Sequence, residues 1–180
     1  MELLKKTFII LFILILLVGC SMLVSYLLPY PFSNINIIFI FLIIFMMARD
    51  SGLVVWISFF TNFFTEIYSS TPFGLILFSG TISILIIFWL YKTIFTNRSW
   101  YSAMALVSLA LLLYRTLFII SLSLLKIFGL TYLTFEKTTF IIFGWELLFT
   151  CLLTGVVYFV LSKFFKSFKA SPIEHGLFKI

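Results

Sequence analysis

Charge is scarce in this chain. Of its 180 residues only 10% are charged, as 12 Lys and Arg and 6 Asp and Glu. A soluble domain carries about 25%. So few charges cannot clothe a globule in a polar skin, which excludes a water-soluble fold and leaves lipid to face most of the exterior. Histidine occurs once, as His175, and cysteine twice, as Cys20 and Cys151. Both cysteines fall inside apolar runs, so they make no disulfide framework and read as buried free thiols. No Cys/His cluster has metal-ligand spacing, so neither a metal nor another cofactor is expected. A Gly-rich phosphate loop and a nucleophile elbow are also missing, and the carboxylates are scattered. These absences point away from an enzyme. The polar/apolar alternation of a membrane barrel is absent too, and no internal repeat stands out.

What is there is apolar. Hydrophobic residues make up 63% of the chain, mean hydropathy is +1.26, and phenylalanine alone contributes 25 residues. Phe, Ile and Leu suit lipid-facing and core positions equally, so this bulk does not reveal which faces are buried. Six apolar segments fall at about 7–28, 36–48, 52–68, 73–95, 101–128 and 138–165. About 20 residues span a bilayer, and the second segment is short against that measure. Pro29 and Pro31 close the first. Short joining loops make consecutive helices antiparallel neighbours. The expected fold is an all-α polytopic membrane bundle of about six transmembrane helices over residues 1–165, followed by a short basic tail over 166–180.

The basic residues set the orientation. With the N terminus inside, Lys5, Lys6, Arg49, Lys92, Arg98, Lys163, Lys166, Lys169 and Lys179 fall on the cytoplasmic side. The outer side keeps Lys126 and Lys137, while Arg115 lies mid-span. This asymmetry fits the positive-inside bias and puts both termini in the cytoplasm. The net charge of +6 then has a topological origin, and no nucleic-acid partner is expected. In the tail, lysines alternate with Phe164, Phe165 and Phe168, a pattern suited to anionic lipid headgroups. Leu17-Val18-Gly19-Cys20 has the form of a lipobox, which would imply cleavage and lipidation at Cys20. The apolar run from Met22 to Leu28 favours an uncleaved span instead.

Ionisable residues inside a span cost roughly 2.5–3.5 kcal/mol each on insertion scales, so each needs a reason. Arg115, Glu146 and Glu66 stand out. The fifth and sixth helices are antiparallel neighbours, and the helical rise of about 1.5 Å per residue brings Arg115 and Glu146 to similar depth. An Arg115–Glu146 ion pair facing the bundle interior is expected. It either fixes helix register or lines a polar pocket for a ligand or coupling ion; the alternative is that each side chain snorkels separately. Between the third and fourth segments, Glu66 precedes Ser69, Ser70, Thr71, Pro72 and Gly74. Pro72 suits the first turn of a helix, and the Ser and Thr residues can cap it. That turn chemistry leaves Glu66 and Gly74 unexplained. Ser79, Gly80, Ser83, Ser102, Ala103, Ala105, Ser108 and Ala110 permit close helix approach.

The hairpin resembles the rod shape-determining protein MreD family. In that family an apolar helix ends in an acidic residue, followed by a Ser-containing turn and a Pro-x-Gly that opens the next helix. Glu66, Ser69, Ser70, Pro72, Phe73 and Gly74 fill the pattern, with Glu where the family has Asp. The resemblance implies a non-catalytic scaffold subunit of the bacterial cell-wall elongation complex, in the inner membrane. Its implied partners are an MreC-like scaffold, MreB filaments and the cell-wall glycosyltransferase and transpeptidase, besides membrane lipids. The family also resembles in fold the solute-binding subunits of energy-coupling-factor vitamin transporters. On that alternative, Asn62, Glu66, Tyr132, Trp145 and Glu146 line a solute pocket. The Ala-x-x-x-Ala pattern expected on the first helix of such a subunit is missing here. A membrane enzyme using Glu66 and Arg115 on a lipid-linked substrate ranks last, since two isolated ionisable groups make no mechanism.

Overall fold

The computed structural model of the chain describes residues 2–49, 51–94, 99–129 and 137–164. Arg98, Tyr132, His175 and the tail over 166–180 lie outside them. All regular structure among the described residues is helical: α1 Glu2–Leu27, α2 Ile37–Arg49, α3 Leu53–Ile67, α4 Leu75–Thr93, α5 Trp100–Ile127 and α6 Lys137–Phe164. A single 3-10 turn, Phe32–Asn34, precedes α2. Helices α4 and α5, and α6 from Thr139 onward, are long and apolar enough to cross a membrane. With 13 and 15 residues, α2 and α3 reach only about 20 Å, against a hydrocarbon core of about 30 Å. The protein is an all-helical membrane protein.

The shortest helix is the most central. Helix α2 packs against α1, α3, α5 and α6. Its Leu42, Ile43, Met46 and Met47 have no exposed surface. Around them close Val54 of α3, Ile84 and Ile87 of α4, and Leu106, Val107 and Leu111 of α5. A helix enclosed by protein need not match the lipid thickness. The 3-10 turn that leads into it packs on α1 and α6.

Helices α3, α4, α5 and α6 are antiparallel neighbours in chain order, each packed on the next. Ser99 starts α5 by accepting the Ser102 N–H on its hydroxyl at 3.2 Å, an N-cap that satisfies one free donor of the first turn. Small residues set the α5–α6 approach. Met104 lies against Gly155, and Ser108 faces Cys151 at 3.9 Å. Arg115 and Glu146 continue the same register further along.

Candidate functional site

One face of α3 is polar. Ser58, Asn62 and Glu66 recur every four residues, so they stack on one side, and all three are buried with Thr61 beside them. Helix α4 meets them with Ser79, Gly80 and Ser83, also buried. The hydroxyls survive burial by bonding to their own helix. Thr61, Thr65, Ser79 and Ser83 each donate to the carbonyl four residues back, at 2.5–2.9 Å. The Asn62 amide donates to the Ser58 carbonyl at 2.9 Å and to its hydroxyl at 3.0 Å. Across the interface Gly80 leaves room for that amide. A Cβ at Gly80 would come within 2.5–2.6 Å of it, closer than packed atoms allow.

Glu66 closes this seam at its loop end. Its two carboxylate oxygens accept the backbone N–H groups of Ile76 at 3.0 Å and Leu77 at 3.3 Å. A helix N-terminus leaves its first N–H groups without intrahelical partners. Here the N-cap residue is Gly74, which has no side chain to offer. The carboxylate of the preceding helix takes that role, and its charge lies at the positive end of the α4 dipole. Gly74 has φ +100°, a left-handed conformation costly for residues with a Cβ. The two residues that turn chemistry leaves unexplained thus work together: Gly74 turns the chain and Glu66 caps α4.

Two local expectations need correction. Pro72 is not in the first turn of α4, which begins at Leu75; Pro72 sits in the turn before it and its carbonyl accepts the Leu75 N–H at 3.5 Å. The Ser and Thr residues do not cap the helix either. Ser69 and Thr71 instead bond to each other, hydroxyl to hydroxyl at 2.8 Å, with the Thr71 N–H on the Ser69 hydroxyl at 3.2 Å. The reason is geometric: the left-handed Gly74 carries the chain past them, and the Glu66 side chain already reaches the free donors.

The second polar cluster joins three helices. Arg115 of α5 donates through Nε to Glu146 Oε2 at 2.8 Å, and its Nη2 bonds the same oxygen. Glu146 is buried, while Arg115 keeps about a quarter of its side chain exposed, at 26%. The other carboxylate oxygen, Oε1, accepts from the Asn36 amide at 3.1 Å. Asn36 precedes α2, and its Oδ1 accepts the Phe39 N–H at 3.3 Å as an N-cap. Its own N–H donates to the Thr150 hydroxyl at 3.1 Å. Tyr114 packs beside this second cluster: its ring lies on Phe39 at 5.3 Å and on the Arg115 guanidinium at 5.5 Å.

Sequence reasoning misses Asn36, Thr150 and Tyr114. Asn directly before an apolar run is an N-cap signal. Thr150 sits four residues from Glu146, hence on the same face of α6. Tyr114 carries no signal in a chain this rich in aromatics. Trp145 is partly exposed and stacks on Phe149 at 5.5 Å, which packs on Phe32 at 4.7 Å. Asn62 and Glu66 therefore belong to the α3–α4 seam, and Glu146 to the α2–α5–α6 junction. A cavity of about 300 Å³ is lined by Ile13, Leu14, Phe41, Phe45, Leu53, Trp56, Ile57 and Phe60, all apolar and separate from both clusters. The expectation of two buried thiols needs correction: Cys20 is an exposed free thiol on α1, and Cys151 is a partly buried one against α5.

The fold and the two clusters define an α-helical membrane bundle whose buried carboxylates tie helices to one another. No protein-family model, no curated protein and no solved structure matches the chain.

Proposed function

We propose that this protein is a non-catalytic scaffold subunit of the bacterial cell-wall elongation complex, set in the inner membrane with six spans and both termini in the cytoplasm. The observation that carries this reading is the α3–α4 hairpin, where Glu66 accepts two N–H groups at the start of α4 behind the left-handed Gly74. In the MreD-like pattern the acidic residue and the glycine occur together, and here they have one joint structural purpose. The buried carboxylates support a role in assembly. Each Glu66 oxygen holds a backbone N–H, one Glu146 oxygen holds Arg115 and the other holds Asn36. A bundle stiffened in this way meets partners through its helix faces, short loops and tail.

The test is affinity purification of the tagged protein from its membrane in mild detergent, with mass spectrometry of proteins and small molecules. Co-purification of an MreC-like scaffold or a cell-wall transpeptidase, together with rounding of rod-shaped cells on depletion, is the expected result. An ATPase module with a stoichiometric vitamin-like solute overturns the reading in favour of a transporter subunit.

A further inference from the structure

At the end of the α5–α6 pair where α5 begins and α6 finishes, side chains leave the outer seam between the two helices unfilled. A lateral groove of about 400 Å³ opens there, lined by Trp100, Met104, Leu152, Gly155, Val156 and Phe159. Its floor is Gly155, where a Cβ would come within 3.0 Å of the Met104 sulfur. The glycine lets α6 sit low against α5 at this point, and the larger side chains on either side become walls. Leu152, Val156 and Phe159 are more than half exposed, at 55%, 59% and 56%, so the groove opens outward from the bundle.

One residue links the apolar channel to charge. The Lys163 ammonium lies over the ring of Phe159, 4.9 Å from its centroid, and Phe159 is a wall of the groove. Trp100 forms the opposite wall at the first residue of α5 and packs on Tyr101 at 3.6 Å. A Trp and a Lys at the ends of two membrane-crossing helices mark the level of the lipid headgroups. The groove thus runs from headgroup depth into the hydrocarbon, apolar along its length and cationic at its mouth.

We propose that this groove binds one anionic phospholipid, with an acyl chain laid over Gly155 between Trp100 and Phe159 and the phosphate at Lys163. The match is in both parts of the ligand. The lining is apolar apart from the Trp100 indole N–H, so a hydrocarbon chain loses nothing by entering, and because bilayer hydrocarbon is equally apolar its retention comes from van der Waals fit over Gly155. The ammonium supplies the charge that separates an anionic headgroup from a zwitterionic one. The inference rests on α5 and α6 crossing the membrane and is independent of the cell-wall role.

Native mass spectrometry of the purified protein, titrated with phosphatidylglycerol or phosphatidylcholine of identical chains, tests it. Wild type is expected to retain one phosphatidylglycerol per chain. Lys163→Gln should lower the preference for phosphatidylglycerol over phosphatidylcholine about fivefold, the weight of one lysine near a membrane surface. Val156→Trp fills the groove from an exposed position and should remove the one-to-one adduct of both lipids. Leu85→Trp, on the exposed face of α4, should leave it intact. If Val156→Trp and Lys163→Gln bind both lipids as wild type does, or if Leu85→Trp lowers binding as much as Val156→Trp, the lipid is general boundary lipid and the proposal is overturned. Loss of partner proteins in the affinity purification leaves this result untouched, so the two readings fail separately.

Discussion

The carboxylate of Glu66 reaches across the α3–α4 turn to the N–H of Ile76, at 3.0 Å. This bond replaces the cap that Gly74 cannot make. It also gives a buried ionisable residue a structural reason to exist.

Removing that cap should be costly. Glu66→Ala leaves the partly buried Ile76 and Leu77 N–H groups without their acceptor, at about 1–3 kcal/mol. Glu66→Gln keeps an acceptor but loses the charge at the helix end, so a smaller loss is expected. Thermal unfolding in detergent should rank the three proteins wild type, Gln, Ala. Equal midpoints would show that the cap contributes nothing.

Gly74 and Gly80 should resist substitution for different reasons. Gly74→Ala forces a Cβ into the left-handed region, at about 1–2 kcal/mol. No partner change can relieve it, because the strain is in the backbone. Gly80→Ala instead drives a methyl into the Asn62 amide, an overpacking cost of about 1–3 kcal/mol. Asn62→Ala should relieve much of this. A double-mutant cycle measured by unfolding should give strong coupling for Asn62 with Gly80, and none for Asn62 with Gly74.

Arg115 and Glu146 should show the asymmetry of a buried pair. Arg115→Leu strands the Glu146 carboxylate in the bundle, and breaking such a pair costs roughly 3–5 kcal/mol. The Arg115→Leu, Glu146→Leu double variant should regain most of the stability, less the share held by Asn36. Additive losses in the two single variants would rule out the coupling.

Membrane orientation can be read from single cysteines placed in a cysteine-free background. Ser70→Cys lies in the α3–α4 turn, while Ser51→Cys precedes α3 and Ser99→Cys caps α5 after the far end of α4. With six spans and cytoplasmic termini, an impermeant maleimide should label position 70 in intact cells. Positions 51 and 99 should react only after permeabilisation. Labelling at 51 without permeabilisation would reverse or break the topology.

The helical class and its segments were legible because they depend on local composition. A span of apolar residues bounded by Pro29 or by Ser69–Ser70 can only be a helix in lipid, since every backbone group must be satisfied within the segment. The six segments lie within a few residues of α1 to α6. The α3–α4 turn was legible only in part. Pro72, Ser69 and Thr71 carry turn propensity whatever their surroundings, and that propensity pointed to the wrong cap. The actual cap comes from a side chain ten residues back in sequence, placed by the packing of α3 on α4.

By itself the sequence determined that the chain belongs in a membrane, where its helices run, and that Glu66, Arg115 and Glu146 need compensation. Charge scarcity and apolar run length decide these points one segment at a time. Tertiary structure alone decided which helix is central and what each ionisable group holds. In a chain this uniformly apolar, lipid-facing and protein-facing surfaces look alike, so the central position of short α2 emerges only from packing. Asn36 joins the Glu146 cluster for the same reason: more than a hundred residues of chain separate them, and only the docking of α2 against α6 brings amide and carboxylate to 3.1 Å.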